Sequence, residues 1–537
     1  MRVRLVVAAT AALPVVVAGG LAGCTDRPDP APNPDPVVRV AIGVPPSLVP
    51  TEVAGGDGGD GAQVLAALFT PLVGFDDAGR PVPVAAESVR PSPDSRVWTI
   101  TLRGGYTFHN GELVTADRYL EAWNYGAYQP NGQQNNYYFQ RIEGYPALNP
   151  PGGGAPTAPT LSGLAKVDDR TFTVTLAEPF VEFASLLGAP AFYPLPAAAF
   201  TPGGEVRDEF AAAPVGNGPF RMVGRQPGEL IDIERYPRHP GDPAQVGKVR
   251  FQVYPDDLAA YADLLAGDVD LVTRIPAGRL ATVEADLGDR FLRVPGPGFQ
   301  FLAFPSYQPE LANPDIRRAI SMAIDRDEIV AGVFRGTEST AHSFVPPVVP
   351  GAQDGGCGPA CRHDPATARD LYARAGGPAQ LTIGYNADGG HRDWVEMTCD
   401  QLRTSLRVGC QGVPVPHVTD LLDRLANREP VGIVRLGWAM DYPSMESYLA
   451  PLFSTGGSAN LHGYHNPELD ALLASAAAAA SPAEAQASYR RAEQILARDL
   501  PVIPLRFGSY TIGHSERVRE VTVTTMGQLD LTRVTCC

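Results

Sequence analysis

The cysteines are the residues whose chemistry is easiest to bound by spacing. The chain has seven, and once Cys24 is set apart the others fall in close pairs: Cys357/Cys361, Cys399/Cys410 and Cys536/Cys537. Outside the cytoplasm such pairs favour local disulfides. A zinc site would have to combine Cys357, Cys361 and His363 with a further ligand, and that spacing fits no strong zinc pattern, so neither a metal nor a cofactor is expected. Bridging the neighbours Cys536 and Cys537 directly is strained, and a bond to another cysteine stays open. Arg435 stands in Gly432-Ile-Val-Arg-Leu436, an otherwise apolar strand. A charge there demands a partner, either a ligand or a structural carboxylate.

Other chemical signals are weaker. Gly56-Asp-Gly-Gly-Asp-Gly61 satisfies G-x-G-x-x-G but does not follow its strand directly, and its aspartates would repel a pyrophosphate. Residues 241–248 imitate a P-loop with one residue too many and Val249 in place of Ser or Thr. His462 and His465 lack an H-E-x-x-H context, and there is no G-x-S-x-G serine. Carboxylates are plentiful, but no pair is marked out for acid–base work. No catalytic set emerges, and an enzyme is not expected.

The chain is too long for one core at 537 residues, so two or three domains are expected. Its net charge of -16 repels phosphate backbones and argues against nucleic acid. Only Lys166 and Lys248 are lysines, and the other basic residues are arginines, as expected of a GC-rich codon bias. Arg2 and Arg4 precede an apolar stretch, residues 5–21, which ends in Leu21-Ala22-Gly23-Cys24. This reads as a secretory leader, residues 1–23, and the cysteine after Leu-Ala-Gly resembles a bacterial lipobox with Cys24 as the lipidated residue. A retained transmembrane anchor is the alternative, opposed by the internal Pro14, the glycines and the lack of a positive stop. Residues 24–36, rich in Pro, Asp and Asn, read as an extended tether.

Periodicity supplies the elements. Val37-Val-Arg-Val-Ala-Ile42 is a first strand candidate. Val97-Trp-Thr-Ile-Thr-Leu102 and Thr171-Phe-Thr-Val-Thr-Leu176 alternate as half-buried strands. Residues 63–69 read as a short helix, and residues 115–123 as a helix with Thr115 at its N-cap. Residues 231–234 and 249–253 alternate again, and residues 258–265 read as a helix stopped by Gly267 before a strand at 267–272. Asn313-Pro314, Asp325 with Glu328, Asn466-Pro467 and Ser481-Pro-Ala-Glu484 open further helices by their capping chemistry. Residues 501–507 are a short apolar strand. The alternation places the chain in the α/β class with α+β insertions.

Taken in order, these segments resemble the extracellular solute-binding proteins of family 5, the oligopeptide and dipeptide receptors of ABC importers. The resemblance rests on Val97 to Arg103 with Phe108-His-Asn-Gly111 and Val114-Thr-Ala-Asp117, Gly216-Asn-Gly-Pro-Phe220, and Ile316 to Arg326. Gly437-Trp-Ala-Met-Asp-Tyr-Pro443, Tyr464-His-Asn-Pro-Glu-Leu-Asp470 and Pro501-Val-Ile-Pro504 complete it. It implies a two-lobed periplasmic-binding-protein-like fold of type II, in the three-domain oligopeptide-receptor variant. Residues 37–70, 189–298 and 509–537 would form a discontinuous domain I, 71–188 domain II and 299–508 domain III, with the hinge at the crossings near 298 and 508.

The resemblance also implies roles. A receptor for varied peptides grips the α-ammonium, the carboxylate and the backbone, and a similarly placed aspartate, here Asp441, binds the amine. The alternative for Asp441 is a turn or N-cap aspartate before Pro443. Trp438 would be an apolar wall or plain core, and Arg435 and Gly437 match positions that meet ligand backbone. His391 falls near the ligand's carboxylate end in some receptors, although the Gly389-Gly390 loop beside it favours a solvated histidine. One of Tyr137 and Tyr138 is expected at the cleft, with Tyr138 taken as the candidate. Arg506, Phe507 and Gly508 replace aromatics of the oligopeptide receptors. The expected partners are a peptide, the permease and ATPase of an importer, and the membrane through a lipid on the exported face, with the protein a monomer. The competing readings are the same fold holding a nickel chelate, a sugar or an opine, an extracellular hydrolase, or a sensor without transport.

Overall fold

The computed structural model describes residues 36–53 and 59–537. The expected leader, the lipidation at Cys24, the tether as far as residue 35 and most of the glycine-rich loop at 54–61 lie outside the described residues. No helix among the described residues is long and apolar enough to cross a membrane.

Two thirteen-residue strands, Phe291–Ala303 and Val502–His514, run antiparallel through the middle of the main sheet. On one flank follow Leu271–Val272, Val37–Ile42, Lys248–Val253, Leu230–Arg235 and Phe220–Gln226. On the other follow Ile433–Trp438, Gln380–Asn386 and Gly409–Val415. The ladder of the long pair breaks register between Pro295 and Phe299, where Gly298 and Gly508 face each other. A separate antiparallel sheet orders Ala86–Pro91, Val97–Leu102, Thr171–Thr175 and Leu164–Lys166. This is the two-lobed α/β fold of type II. One core gathers Val40, Trp98, Tyr119, Phe172 and Phe220, the other Phe301, Ile320, Trp394, Tyr448 and Leu496.

Local chemistry explains most boundaries. Trp98, Ile100 and Leu102 are buried on one face of their strand, as period two requires. Pro314 starts its helix, and Asn313 Oδ1 accepts from the Asp315 amide at 2.9 Å. Asp325 accepts from the Glu328 amide at 3.0 Å, and Ser481 from that of Glu484 at 3.3 Å. Thr115 occupies the N-cap of Ala116–Ala127 but makes no capping bond with its side chain. The strand expected at 501–507 continues to His514, because Ser509 to Gly513 find ladder partners in Phe291 to Pro295 although the apolar run has ended. The strand expected at 267–272 shrinks to Leu271–Val272, since Gly267 takes a left-handed cap at φ 83°. The helix expected at 63–69 begins earlier and covers Asp60–Leu68.

Cys357 is bonded to Cys361, Cys399 to Cys410 and Cys536 to its neighbour Cys537. With both sulfurs of the first pair engaged, the zinc alternative has no thiolates. His363 Nδ1 instead lies 3.1 Å from Asp325.

Two of the sequence motifs meet in space. The His109 amide donates to Gly216 O at 2.8 Å, and the Gly216 amide donates back to His109 Nδ1 at 3.2 Å. A Cβ on Gly216 would lie 1.9 Å from Leu68 O, a backbone atom that cannot give way. Gly216→Ala is therefore expected to cost at least about 2 kcal/mol, read as a lowered denaturation midpoint. Gly104→Ala, where nothing lies within 4 Å, should stay within about 0.5 kcal/mol of the parent.

Candidate functional site

After Trp438 the chain leaves the sheet and turns back over the start of the helix Glu446–Phe453. Two bonds fix that turn: Trp438 Nε1 donates to Ser447 O at 2.7 Å, and the Asp441 amide donates to Ser447 Oγ at 2.8 Å. The N-cap of that helix is Met445, so Asp441 is not its capping residue. Asp441 Oδ1 accepts instead from Tyr137 OH at 3.0 Å and Tyr138 OH at 2.9 Å. Both tyrosines belong to the turn Asn136–Phe139, which packs on the first core, whereas Trp438 and Met440 pack on the second. The carboxylate thus bridges the lobes.

Oδ2 of Asp441 receives no donor from the described residues. Asp441 lines a cavity of about 350 Å³ together with Tyr137, Tyr138, Arg141, Glu178 and Glu446. Burial pushes the Asp441 carboxyl up to about 6, against the pull of the two phenol donors. Burial, aided by Asp441, raises both phenols, which keeps them protonated as donors. A carboxylate so placed is short of counter-charge and can neutralise a cation entering the cavity.

The same seam holds further acids. Arg141 pairs with Glu446, which also accepts from Tyr442 OH, and the guanidinium lies 4.0 Å above the Phe180 ring. Burial is the largest influence on Arg141 and opposes its charge, but Glu446 together with the other acidic groups around it, Glu182 among them, holds the guanidinium above its ordinary value. Glu182 accepts from Ser444 Oγ at 2.8 Å and Tyr489 OH at 3.2 Å, again across the lobes. Burial first, and Glu446 second among the raising causes, push Glu182 up to about 7.

Arg435 has no carboxylate partner among the described residues. Its Nη1 donates to Asn386 Oδ1 at 3.1 Å and its Nη2 to Gln300 Oε1 at 2.6 Å, both neutral amides. Burial and then Arg506 lower it to about 10. Arg506 is paired with Glu338 and lies 4.1 Å over Phe334. His391 is buried at 6 % exposure, which overturns the solvated-loop reading, because the following turn of helix brings Trp394 Nε1 to its Nδ1 at 3.2 Å. Burial and the two arginines hold it down to about 3, so it is neutral. Gly437 is exposed, and a Cβ there would meet Gln300 Nε2 at 2.7 Å. Trp438 is half-buried against the second core. The structure therefore gathers Asp441 with both tyrosines at one place, and Arg435 with His391 at another.

Arg141, Glu178, Glu182 and Glu446 were not singled out in the sequence. Arg141 and Glu446 stand in mixed segments, Phe139-Gln-Arg-Ile142 and Met445-Glu-Ser-Tyr-Leu449, so the apolar-run argument applied to Arg435 does not mark them.

A Glu182 carboxyl raised to about 7 favours the folded seam at low pH, and that contribution is lost as pH rises from about 4.5 through 7. Glu182→Gln keeps an acceptor and removes the charge. Its thermal midpoint relative to the parent should accordingly rise between pH 5 and pH 8, by the equivalent of about 1–3 kcal/mol. A difference that does not change with pH would place Glu182 outside the titrating seam.

The profile of the bacterial extracellular solute-binding proteins, family 5, matches residues 80–460. A dipeptide-binding protein, DppE, of Bacillus subtilis is 27% identical over 476 residues, covering 84% of this chain and 83% of its own. Heme-binding protein A of Haemophilus influenzae is 24% identical, covering 82% of this chain and 81% of its own. Among solved structures, the unliganded open form of the periplasmic murein tripeptide binding protein MppA superposes with a TM-score of 0.77 at 24% identity, over 93% of this chain and 97% of that one. The chain is a solute-binding protein rather than an enzyme, and it belongs to the bacterial extracellular solute-binding proteins, family 5.

Proposed function

We propose that the protein captures peptides with a free α-ammonium between its lobes and delivers them to the permease of an ABC importer, tethered to the outer face of the membrane by a lipid on Cys24. The observation that carries this reading is the oxygen of Asp441 left without a protein donor in an interlobe cavity. An ammonium there would complete the carboxylate's coordination, with Tyr137 and Tyr138 holding its other oxygen. Arg435, on the strand that leads to Asp441 and without a carboxylate partner, and the neutral His391 that it influences suit the peptide's carboxylate. The exposed Gly437 leaves room for ligand backbone. The three-domain division and a hinge at the register break near 298 and 508 fit this reading, since parting the lobes there would break the contact of Tyr138 with Asp441 and closure would remake it.

Relatives named for dipeptide and for murein tripeptide support the peptide class. The relative named for heme suggests another ligand. Heme brings carboxylates, however, and the seam already holds Asp441, Glu446 and Glu178 against the single cation Arg141. A sugar would leave Asp441 without a matched ammonium.

Calorimetry with a tripeptide and its N-acetylated form tests the reading. The free amine should bind and the acetylated form should lose roughly 2–5 kcal/mol, and Asp441→Asn should erase the difference. With Asp441 at about 6, affinity should rise with pH through 6, and it should fall as the peptide amine deprotonates near about 8. Equal binding of the two peptides would refute the role of Asp441.

A further inference from the structure

The cavity beside Asp441 holds more negative charge than an α-ammonium can neutralise. Its lining carries the carboxylates of Asp441, Glu446 and Glu178 and the guanidinium of Arg141. Arg141 is committed to Glu446 and stacks on Phe180. Glu178 makes no ion pair with any described residue, and it is exposed, whereas Asp441 is largely enclosed. With an ammonium on Asp441, the formal charge of the lining still stands one unit negative. No group of three or more His, Cys, Asp or Glu among the described residues is placed to hold a metal ion.

Peptide geometry decides what fills the remaining space. The side chain of a first residue leaves from the carbon that bears the α-amine, so an amine seated on Asp441 directs that side chain into the same cavity. The rings of Tyr137 and Tyr138 offer apolar surface for an alkyl stem, and the exposed Glu178 offers a charge for its head. Resting on the amine reading above, we infer that the cavity selects peptides whose first residue is lysine or arginine, with Glu178 as the residue that sets this preference. Nothing comparable welcomes an acidic first residue, which would face Asp441, Glu446 and Glu178 with only a committed arginine for relief.

Calorimetry on the purified protein with Lys-Ala-Ala, Ala-Ala-Ala and Glu-Ala-Ala tests this. At low ionic strength the lysine peptide is expected to bind roughly tenfold tighter than the alanine peptide, and the glutamate peptide weaker than both. The preference should shrink at high salt, because Glu178 is exposed. In Glu178→Gln the lysine-to-alanine ratio should fall to within about twofold of one. Equal affinities for the three peptides, or an unaltered ratio in Glu178→Gln, overturn the inference while leaving amine recognition by Asp441 intact. If none of the three binds, the amine reading fails and this inference fails with it.

Discussion

Two phenols from one lobe donate to a single oxygen of a carboxylate carried by the other, and the second oxygen is left facing a cavity. Removing a carboxylate from water costs several kcal/mol unless its lone pairs are satisfied, and two neutral donors satisfy only part of them. The contact therefore joins the lobes yet stays electrostatically incomplete. Everything else at the seam inherits that constraint. Tyr137 and Tyr138 must stay protonated to donate, which burial and Asp441 ensure by raising their phenols. The turn at 438–441 must hold the carboxylate in register, which Ser447 does through its hydroxyl and its carbonyl.

The seam as a whole is acidic. Glu182, Glu446 and Asp441 approach one another with Arg141 as their cation, so the acids cannot all ionise without penalty. On the reading proposed above, such a seam would favour a ligand that brings positive charge. The two long strands supply the mechanical counterpart. They belong to both flanks of the main sheet, and their ladder shifts register between Pro295 and Phe299, with Gly298 opposite Gly508, and again between Gln300 and Phe301. A hinge there would let the lobes part without disturbing either core.

Much of the fold was legible because its signals are local. Proline at the first helical position with Asn or Ser before it marked helix starts at 314, 467 and 482, and alternation marked the strand Val97–Leu102. What depended on distant partners was not legible. The extension of Val502–His514 beyond its apolar run is decided by the strand beside it, and the shortening at Leu271–Val272 by the cap before it. The site divides in the same way. Asp441 was reached through the resemblance of Gly437-Trp-Ala-Met-Asp-Tyr-Pro443, but its partners come from three hundred residues earlier in the chain. The solvated alternative for His391 came from its flanking glycines and fails, because burial beside Trp394 is a tertiary fact.

The most direct test is a crystal structure of the protein with a bound tripeptide. The account predicts the peptide's α-nitrogen within hydrogen-bonding distance of Asp441 Oδ2, about 2.7–3.1 Å, with Tyr137 and Tyr138 still donating to Oδ1. A peptide bound with its amine elsewhere, while Asp441 keeps only its tyrosine partners, would contradict it.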